Sequence, residues 1–536
     1  MKWLSHLFIS TLVLTQVSCT KDFEKINTDP SRATPDNFDA TFFLTNAQNT
    51  YKGAITGYAG PILFQSGWVQ LLASTTTGGA IYYSNMDKYV QSANTMSYTA
   101  NSWGSCYRAA SLANEIINIY GKDAERVNAV AAATVVKVMS VAYLTDIYGD
   151  VPYSEAFQGA TGVTQPKYDK QEVAIKAMLA DLEKAAGMFN AGKLAISADL
   201  FYKGDVAKWK RLANSLMLRI AMRLVKRDAA TAKAWAEKAA AGGVFTSDAD
   251  DVLLPGDQAN GYTNPNAGPL RTPADLYEVR WAKTLIDYMQ ATSDPRLAAI
   301  AEVPAGGFNA NNSFDAGDNT PAVQLGLPNG YDMNGGSTDI SRAPGFPGAT
   351  DGPGGATKIG KYSRPRGFYR DLNAPVFLIT YGETMLLLAE AKVRGWNVGS
   401  ATAAELYANG VRGSFASLAK YGAGAGSTSA DATAYLTANP LNVSSTAASL
   451  TQINTQYWAS NGMLLNFAES WSNWRRTGIP ALTPVVAAGN FSNGQIPRRQ
   501  MYPTSEASLN GTAYSAGLSG LTPATDGWSS RVWWDN

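Results

Sequence analysis

Histidine is nearly absent from this sequence of 536 residues, because His6 is the only one and lies in a segment that we expect to be removed. A mature chain without imidazole excludes a Ser–His–Asp triad and a histidine-containing zinc site. Cysteine is almost as scarce, with Cys19 near the N-terminus and Cys106 further along. Since Cys19 has another role below, Cys106 has no disulfide partner and is expected to be a small core residue.

Charge is also sparse, since only 16% of the residues are charged and the formal net charge is +1. The sequence therefore has no basic field of the kind that nucleic-acid-binding proteins use. Hydrophobic residues are plentiful at 45%, and there are 49 glycines. This composition predicts a large buried core surrounded by long polar loops. The length allows one to three domains, and we expect a single domain over residues 38–536.

The N-terminal segment has the proportions of a bacterial export signal. Lys2 precedes an apolar stretch at 7–14, which is far shorter than the roughly 20 residues that a membrane-spanning helix needs. The stretch leads to Ser18 and Cys19, which resemble the cleavage and lipidation site of a bacterial lipoprotein, although Gln16 stands where that pattern favours leucine. We predict a signal peptide over 1–18 and an acylated, palmitate-bearing Cys19. The alternative is an ordinary secretory signal with an incidental cysteine.

Residues 19–37 are polar and are predicted to form a lipidated tether. Within it, residues 20–24 resemble the acidic signal that sends Bacteroidetes lipoproteins to the outside of the outer membrane. We expect no later stretch to reach the length of a membrane span, which would make the lipid the sole anchor. A single acyl chain binds membranes only marginally, but bacterial lipoproteins typically carry several.

Hydrophobic periodicity predicts mainly helices in the rest of the chain. The clearest pattern follows Asp169 and Glu172, which form an Asp-x-x-Glu helix start, and a similar pattern follows Asp205. Val127–Tyr148 is apolar almost all round, which predicts a helix buried on every side and ended by Gly149. The other predicted helical segments are 38–51, 60–73, 106–120, 229–241, 276–292, 376–395, 403–421, 450–459 and 463–476.

Four long stretches interrupt the helical pattern and are predicted to be decorating loops. They lie at about 77–103, 248–275, 304–375 and 422–449. Loops of this length are unusual in a compact protein and are commonly functional. The tail at 481–536 is irregular too, but its tryptophans, Trp528, Trp533 and Trp534, predict that it packs back on the body.

A series of short phrases gives the sequence a family resemblance. They are DIYGDVPYSEA at 146–156, QPKYD at 165–169, GD at 204–205 with Trp209, NSL at 214–216 with Arg219 and Arg223, DPRL at 294–297, LAEA at 388–391 with Arg394 and Gly395, WRRTG at 474–478, PRR at 497–499, YP at 502–503 and RVWWD at 531–535. In this order they resemble the SusD/RagB-like nutrient-binding lipoproteins of the Bacteroidetes outer membrane.

The resemblance implies a mostly α fold, a SusD-like α-helical bundle with tetratricopeptide-like helix pairs and long loops that build the ligand site. It also implies a partner, a SusC-like TonB-dependent transporter barrel over which such a protein closes as a lid. Most of the phrases are interpreted as structural. Gly149, Gly395 and Gly478 suit the ends of helices, and 531–535 is expected to fix the C-terminus by packing and ion pairing.

Paired carboxylates are the catalytic option that a histidine-free chain keeps. Glu383 and Glu390 share one helix face, with backbones about 10.5 Å apart at ~1.5 Å per residue. That is wider than the roughly 5 Å of a retaining glycosidase and the roughly 6.5–9.5 Å of an inverting one. Glu390 is also four residues before Arg394, a distance that favours an ion pair on a helix. We interpret both as structural and predict no enzyme, with a glycoside hydrolase as the alternative.

A metal site and a cofactor are not predicted either. Oxygen-bearing side chains crowd one glycine-containing loop, namely Asn311, Asn312, Asp315, Asp318 and Asn319. Such loops can hold calcium, but the spacing differs from that of the twelve-residue calcium loop, so we interpret this one as a solvated turn.

The candidate ligand-binding residues are aromatic and polar side chains in the long loops. Tryptophans at helical spacing, Trp209, Trp281, Trp458 and Trp474, are expected in the core instead. The resemblance implies that loops after the early helices and a long insertion past the middle form the site, which correspond to 77–103 and 304–375. The predicted contact residues are Tyr82, Tyr83, Asn85, Tyr89, Tyr331, Arg342, Phe368 and Tyr369, and Asp87 and Phe346 lie in the same segments.

With the N-terminal segment, the family resemblance implies a lipid-anchored nutrient-binding protein that faces the cell exterior and delivers a glycan to its transporter. A peptide, as in RagB-type importers, is the alternative ligand. A scaffold that binds only another protein is a third interpretation, in which the loop aromatics would be buried.

Overall fold

The computed structural model describes the chain from residue 38 to its end, apart from six short gaps. The described residues are 38–75, 87–92, 94–271, 279–304, 316–349, 358–422 and 424–536. Their α-helices are α1 (Phe42–Ala54), α2 (Ser66–Trp68), α3 (Thr95–Tyr120), α4 (Val127–Tyr148), α5 (Gln171–Met188), α6 (Val206–Arg223), α7 (Ala229–Gly242), α8 (Ala267–Arg271), α9 (Lys283–Ala291), α10 (Arg296–Ile300), α11 (Tyr381–Val393), α12 (Ala403–Ala419), α13 (Ser429–Ala438), α14 (Thr446–Met463), α15 (Phe467–Thr477), α16 (Glu506–Leu509) and α17 (Gly511–Leu518).

The strands of the described residues are short and form two-stranded antiparallel ribbons. They are β1 (Leu72–Ser74), β2 (Val252–Leu254), β3 (Val279–Trp281), β4 (Ala301–Glu302), β5 (Arg364–Pro365) and β6 (Val376–Ile379). β1 pairs with β3, β2 with β6 and β4 with β5, so each ribbon joins segments that are distant in sequence. The β1–β3 ribbon sets Leu72 opposite Trp281 and supports the cleft described below.

Neighbouring helices pack in consecutive pairs. α3 packs against α1 and α4, and the contacts then continue from α4 to α5, from α5 to α6 and from α6 to α7. A second series joins α11 to α12 and to α14, and α14 to α15. In tetratricopeptide-type arrays each unit likewise contacts mainly its neighbours. The predicted fold class, a mostly helical bundle of tetratricopeptide-like pairs with long loops, is confirmed.

Helix α4 lies at the centre of the core, as predicted from its apolar composition. Side chains on all of its faces are buried, among them Val135, Val138 and Leu144. It is the one described helix long and apolar enough to cross a membrane, but 78% of its most apolar stretch is buried inside the protein. The expectation that no later stretch reaches the length of a membrane span is therefore wrong for α4, which is a core helix.

The predicted helix starts were right for α6 and wrong for α5. Asp205 caps α6 by accepting hydrogen bonds from the backbone N–H groups of Ala207 and Lys208, both at 3.0 Å. Asp169 does not cap α5, because its carboxylate instead accepts from the backbone N–H of Ser154 at 2.7 Å. The first N–H of α5, that of Gln171, donates to Asp150 Oδ1 at 2.8 Å. Asp150 is distant in sequence, so no local pattern could have indicated this contact.

Helix α3 begins at residue 95, so part of the predicted 77–103 loop and the predicted start at 106 are wrong. The buried face of its first turns is polar, which hides the helical period. Thr99 and Ser102 are both buried, and Ser102 donates to the carbonyl of Ala54 at 3.1 Å. Trp103 and Cys106 continue the same buried face, and Cys106 is the small core residue that was expected.

Two predicted helices contain a strand. The 376–395 segment begins as β6, after which Thr380 caps α11 through the backbone N–H of Glu383. The 276–292 segment divides into β3 and α9, and 276–278 lie outside the described residues. Valine, isoleucine and aromatic side chains favour extended backbone, and periodicity does not distinguish a short apolar strand from a helical turn.

Two further predictions need correction. Residues 60–73 contain a π-helical turn at Pro61–Gln65, α2 and part of β1 rather than one helix. The predicted 422–449 loop contains α13, which begins with a capping box between Thr428 and Asp431. Its alanine-rich and threonine-rich composition conceals the helix, because only Ala432 and Tyr435 of α13 are buried.

The C-terminal tail packs back on the body, as predicted. Trp528 and Trp534 are buried, and the buried carboxylate of Asp535 accepts from Arg498 Nε at 2.8 Å. The interpretation of 531–535 as a structural motif is therefore confirmed. Glycine with left-handed backbone ends α15, where Gly478 has φ +71°.

Candidate functional site

One of the two segments that were predicted to form the ligand site, 304–375, lines an open cleft of about 500 Å³. Its walls come from the turn before β1, from α9, from residues 328–338 and from the C-terminal tail. The lining residues include Gln70, Lys283, Thr284, Asp287, Asn329, Gly330, Tyr331, Ser337, Thr338, Thr483 and Val485.

The β1–β3 ribbon lies next to the cleft, because the lining residues Gln70 and Lys283 flank its two strands. Leu327 extends this ribbon, because its N–H donates to the carbonyl of Trp281 and its carbonyl accepts from Lys283, both at 2.9 Å. A turn follows in which Gly330 has φ +92°. A side chain at Gly330 would place its Cβ 2.7 Å from a methyl group of Val485, so glycine lets the tail approach the turn closely.

Asp87 joins the two predicted loops beneath this cleft. Its Oδ2 accepts from the Ser74 N–H at 3.1 Å, the Gly330 N–H at 3.3 Å and Asn329 Nδ2 at 3.2 Å. Asn329 Nδ2 also donates to the carbonyl of Leu72 at 2.9 Å. Burial raises the pKa of Asp87, although these hydrogen bonds and Lys88 oppose that shift. The carboxylate therefore fixes the relative position of the two loops.

Tyr331 is the aromatic side chain on the cleft. Its ring is partly exposed and packs on a small apolar cluster that includes Ala73, Leu327 and Tyr362. Among the residues that the structure describes, its hydroxyl has no hydrogen-bond partner. A ring that packs on the protein with one face can stack with its other face on an apolar part of a ligand. Its free hydroxyl can form a hydrogen bond with a polar group of the same ligand.

The polar groups beside Tyr331 are mostly neutral. Gln70 Oε1 accepts from Thr284 Oγ1 at 2.8 Å, and Gln70 itself has left-handed backbone with φ +55°. The charges of Lys283 and Asp287 compensate each other as an exposed ion pair along α9. The cleft thus offers amides, hydroxyls and one ring without a large net charge, a combination suited to a polyhydroxylated ligand.

The predicted contact residues divide into three groups. Tyr82, Tyr83 and Asn85 lie outside the described residues. Tyr331 lines the cleft, and its contact with a ligand stays a prediction. Tyr89 lies beneath it, since its ring is fully buried and its hydroxyl accepts from the Val485 N–H at 3.4 Å.

The remaining three predicted residues are not part of this cleft. Arg342 is exposed elsewhere on the 316–349 segment. Tyr369 is fully buried, with its hydroxyl donating to the carbonyl of Met463 at 2.6 Å, and the partly buried ring of Phe368 lies 4.3 Å from it. Tyr369 therefore belongs to the core. The four tryptophans at helical spacing are also buried, as expected.

Several cleft residues were not predicted from the sequence. Gln70, Thr284 and Asp287 flank apolar residues of a turn and a helix, where polar residues normally mark a solvated face. Asn329 and Gly330 form a common turn pair, and that signal could have located the bend but not its contact with Asp87.

A family model described as starch-binding and associating with the outer membrane matches residues 32–503. The chain belongs to this SusD-like family. The resemblance drawn from the short phrases is thereby confirmed, and the family is one of outer-membrane nutrient-binding proteins. No curated protein matches the chain.

Solved SusD-like structures share the whole fold. A chitin-binding protein is 29% identical with a TM-score of 0.78, and the match covers 93% of this chain and 100% of that one. A chitin-binding SusD homologue from Flavobacterium johnsoniae is 24% identical, with a TM-score of 0.71 and coverage of 93% and 99%. A SusD homologue from Bacteroides fragilis is 21% identical, with a TM-score of 0.72 and coverage of 93% and 100%. The last two likenesses show the fold alone.

The two carboxylates considered for catalysis are held in separate buried ion pairs of the SusD-like helical core. Glu383 Oε2 lies 2.6 Å from Arg219 Nη2. Glu390 accepts from Arg476 Nη1 at 2.6 Å and from Arg394 Nη2 at 2.8 Å. The predicted Glu390–Arg394 pair and the structural interpretation of both carboxylates are confirmed.

The crowded oxygen loop is described only in part, because 305–315 lie outside the described residues. Asp318 there accepts from the Thr320 N–H at 2.9 Å, and Asn319 donates to the carbonyl of Ala298 at 2.9 Å. Both side chains support the local turn. In the part of the chain that the structure describes, no three His, Cys, Asp or Glu side chains form a group that could hold a metal ion.

Proposed function

We propose that this SusD-like protein captures a glycan in the cleft around Tyr331 and passes it to a SusC-like TonB-dependent transporter, over which it acts as a lid. In this proposal acyl chains on Cys19 hold the protein on the outer face of the outer membrane. The protein itself performs no chemistry on the ligand, since its role is to concentrate the nutrient and release it.

One observation carries the glycan proposal: a partly exposed tyrosine ring stands beside amide and hydroxyl groups in a cleft without a large net charge. A sugar ring presents C–H faces that stack on an aromatic ring and hydroxyls that exchange hydrogen bonds with Gln70, Thr338 or Asn329. A peptide with charged ends would find fewer partners, because Lys283 and Asp287 already pair with each other.

The chitin-binding protein at 29% identity suggests which glycan to try first. We propose an oligosaccharide of β-linked N-acetylglucosamine as the leading ligand class. Its acetamido groups would add donors and acceptors that match the side-chain amides of the cleft. Weak affinity suits the role, because a bound nutrient must leave for the transporter.

The test is a calorimetric titration of the full-length Cys19→Ala protein with the hexasaccharide of N-acetylglucosamine, with maltohexaose and with a neutral hexapeptide. We expect one of the saccharides to bind and the peptide to bind weakly or not at all. Tyr331→Ala should weaken the binding about fivefold, since a stacked ring contributes on the order of 1 kcal/mol.

The matched control is Tyr262→Ala, because Tyr262 is 54% exposed and lines neither the cleft nor its supports. This variant should bind like the parent protein. Peptide binding that depends on Tyr331, with no saccharide bound, would replace the glycan proposal with the RagB-type alternative. Saccharide binding that survives Tyr331→Ala would show that the site lies elsewhere.

A further inference from the structure

A second cleft, of about 290 Å³, lies on the helical array and shares no lining residue with the first. It is bounded by the first turn of α11, by α12 and by the segment that leads into α13. The short turn at Asp248–Asp250 closes the remaining side. Phe415, Ala416 and Ala432 provide an apolar wall, and the opposite wall is polar.

The polar wall contains hydroxyl groups that the fold does not use. Among the described residues, the side chains of Ser247, Ser427 and Ser429 have no hydrogen-bond partner, and neither does the hydroxyl of Tyr381. Thr428 on the same cleft differs, since its hydroxyl donates to Asp431 Oδ2 at 2.8 Å in the cap of α13. The unused groups are therefore available to a ligand.

Tyr381 gives this cleft an aromatic surface of fixed position. Its backbone N–H donates to Asp251 Oδ1 at 2.7 Å, and its partly exposed ring lies against α12 at Gly413. A Cβ at Gly413 would lie 2.8 Å from Tyr381 Cδ1, so only glycine leaves the ring where it is. The ring is thus supported from one side, as Tyr331 is in the first cleft.

A cation stands beside that ring without a counter-ion. Arg412 is exposed on α12, and no carboxylate in the described ranges lies within ion-pair distance of it. Asp248, across the cleft, is 3.4 Å from Lys420 Nζ and so is already paired. Burial raises the pKa of Tyr381, Asp248 raises it further and Arg412 opposes this shift.

We propose that this second cleft is a further saccharide-binding site, in which Tyr381 stacks on one sugar ring. Arg412 and the serine hydroxyls would bond the sugar's oxygen atoms. The inference rests on the proposed function only for the ligand class. A second contact of this kind would let the protein hold a long polysaccharide at two separate points.

The test is hydrogen exchange followed by mass spectrometry on the full-length Cys19→Ala protein, with and without the saccharides of the panel above. We expect slower exchange in peptides that cover 424–432 and 246–251, in addition to those that cover 325–338. Tyr381→Ala should abolish the slower exchange at 424–432 and 246–251 and leave that at 325–338 unchanged. It should also weaken binding at the second cleft about fivefold. Tyr262→Ala should change neither.

Arg412→Gln is the second variant, because loss of an exposed guanidinium cannot disturb the core as loss of Tyr381 could. It should also reduce protection at 424–432 while the melting temperature stays unchanged. Protection confined to 325–338 would overturn the second site and leave the proposed function standing. Protection confined to 424–432 would support the second site and refute the first. Protection at neither cleft by any saccharide would refute both.

Discussion

The side-chain amide of Asn329 lies 3.2 Å from the buried carboxylate of Asp87, and this hydrogen bond joins two loops that are more than 200 residues apart in sequence. The same Oδ2 atom accepts from the N–H groups of Ser74 and Gly330. One carboxylate therefore holds the turn at Asn329 and Gly330, which lines the proposed glycan cleft, against β1.

Asp87→Ala should consequently weaken saccharide binding although Asp87 does not line the cleft. The variant removes an acceptor that three donors share, and the loss of such a buried hydrogen-bond partner costs roughly 1–3 kcal/mol unless water replaces the lost oxygen. We expect a lower denaturation midpoint together with a several-fold loss of affinity, measured by urea unfolding and calorimetry. Asp87→Asn keeps one acceptor oxygen and should lose less of both. Equal affinity in all three proteins would contradict the proposed role.

Tyr82 and Tyr83 remain predicted contact residues in a polar segment, and the double change Tyr82→Ala with Tyr83→Ala should weaken ligand binding about fivefold or more. Its melting temperature should shift little. Trp209→Ala should do the reverse, because Trp209 is fully buried and loss of a core aromatic costs roughly 3–5 kcal/mol. Thermal melts beside titrations separate the two cases. An early melt with normal binding would assign the tyrosines to the core.

Glu390 should give part of the protein's stability a dependence on pH. Burial by itself would raise the pKa of this carboxyl, but Arg476 and Arg394 lower it to about 2, from 4.5 for an unperturbed group. The ion pairs therefore stabilise the fold above about pH 4.5, by ~3 kcal/mol at most, and this contribution is lost as the pH falls toward 2.

Glu390→Gln should lower the free energy of unfolding at pH 7 by roughly 3–5 kcal/mol, because Arg476 stays buried without its partner. The difference from the parent protein should shrink between pH 5 and pH 3, as measured by urea unfolding. Glu172→Gln is the control, since its ion pair with Lys176 is exposed and contributes only about 0–1 kcal/mol. A difference that is constant with pH would refute the assigned pKa.

Cys19→Ala should release the protein from membranes into the soluble fraction, because the proposed acyl chains are its only predicted anchor. Cell fractionation followed by immunoblotting measures this directly. Ser18→Ala keeps the cysteine and a small residue before it, so this control should stay membrane-bound. Persistent membrane attachment of Cys19→Ala would contradict the lipoprotein interpretation.

The helical fold was largely predictable because burial repeats along the helices. Val127–Tyr148 was predicted with correct bounds, and Asp205 marked the start of α6 through a purely local contact. The early turns of α3 escaped prediction because their buried face carries Thr99 and Ser102 rather than apolar residues. Asp150, which bonds the first N–H of α5, acts across a tertiary contact that no local window contains.

The cleft was harder to predict for the same physical reason. The sequence indicated one lining segment, within 304–375, and one lining residue, Tyr331, because polar segments rich in aromatics are unusual. It did not distinguish Tyr331 from Tyr369, since exposure depends on how the loops pack and not on neighbouring residues. Gln70 and Asn329 reach the cleft only through the β1–β3 ribbon and Asp87, which pair segments distant in sequence.

The most direct test of the central claim is a crystal structure of the Cys19→Ala protein with the best-binding oligosaccharide of the panel. The account predicts a sugar ring stacked on Tyr331, with hydroxyl or acetamido groups within about 3 Å of Gln70, Thr338 or Asn329. A saccharide bound only at other surfaces, with the Tyr331 cleft empty at saturating ligand, would contradict the account.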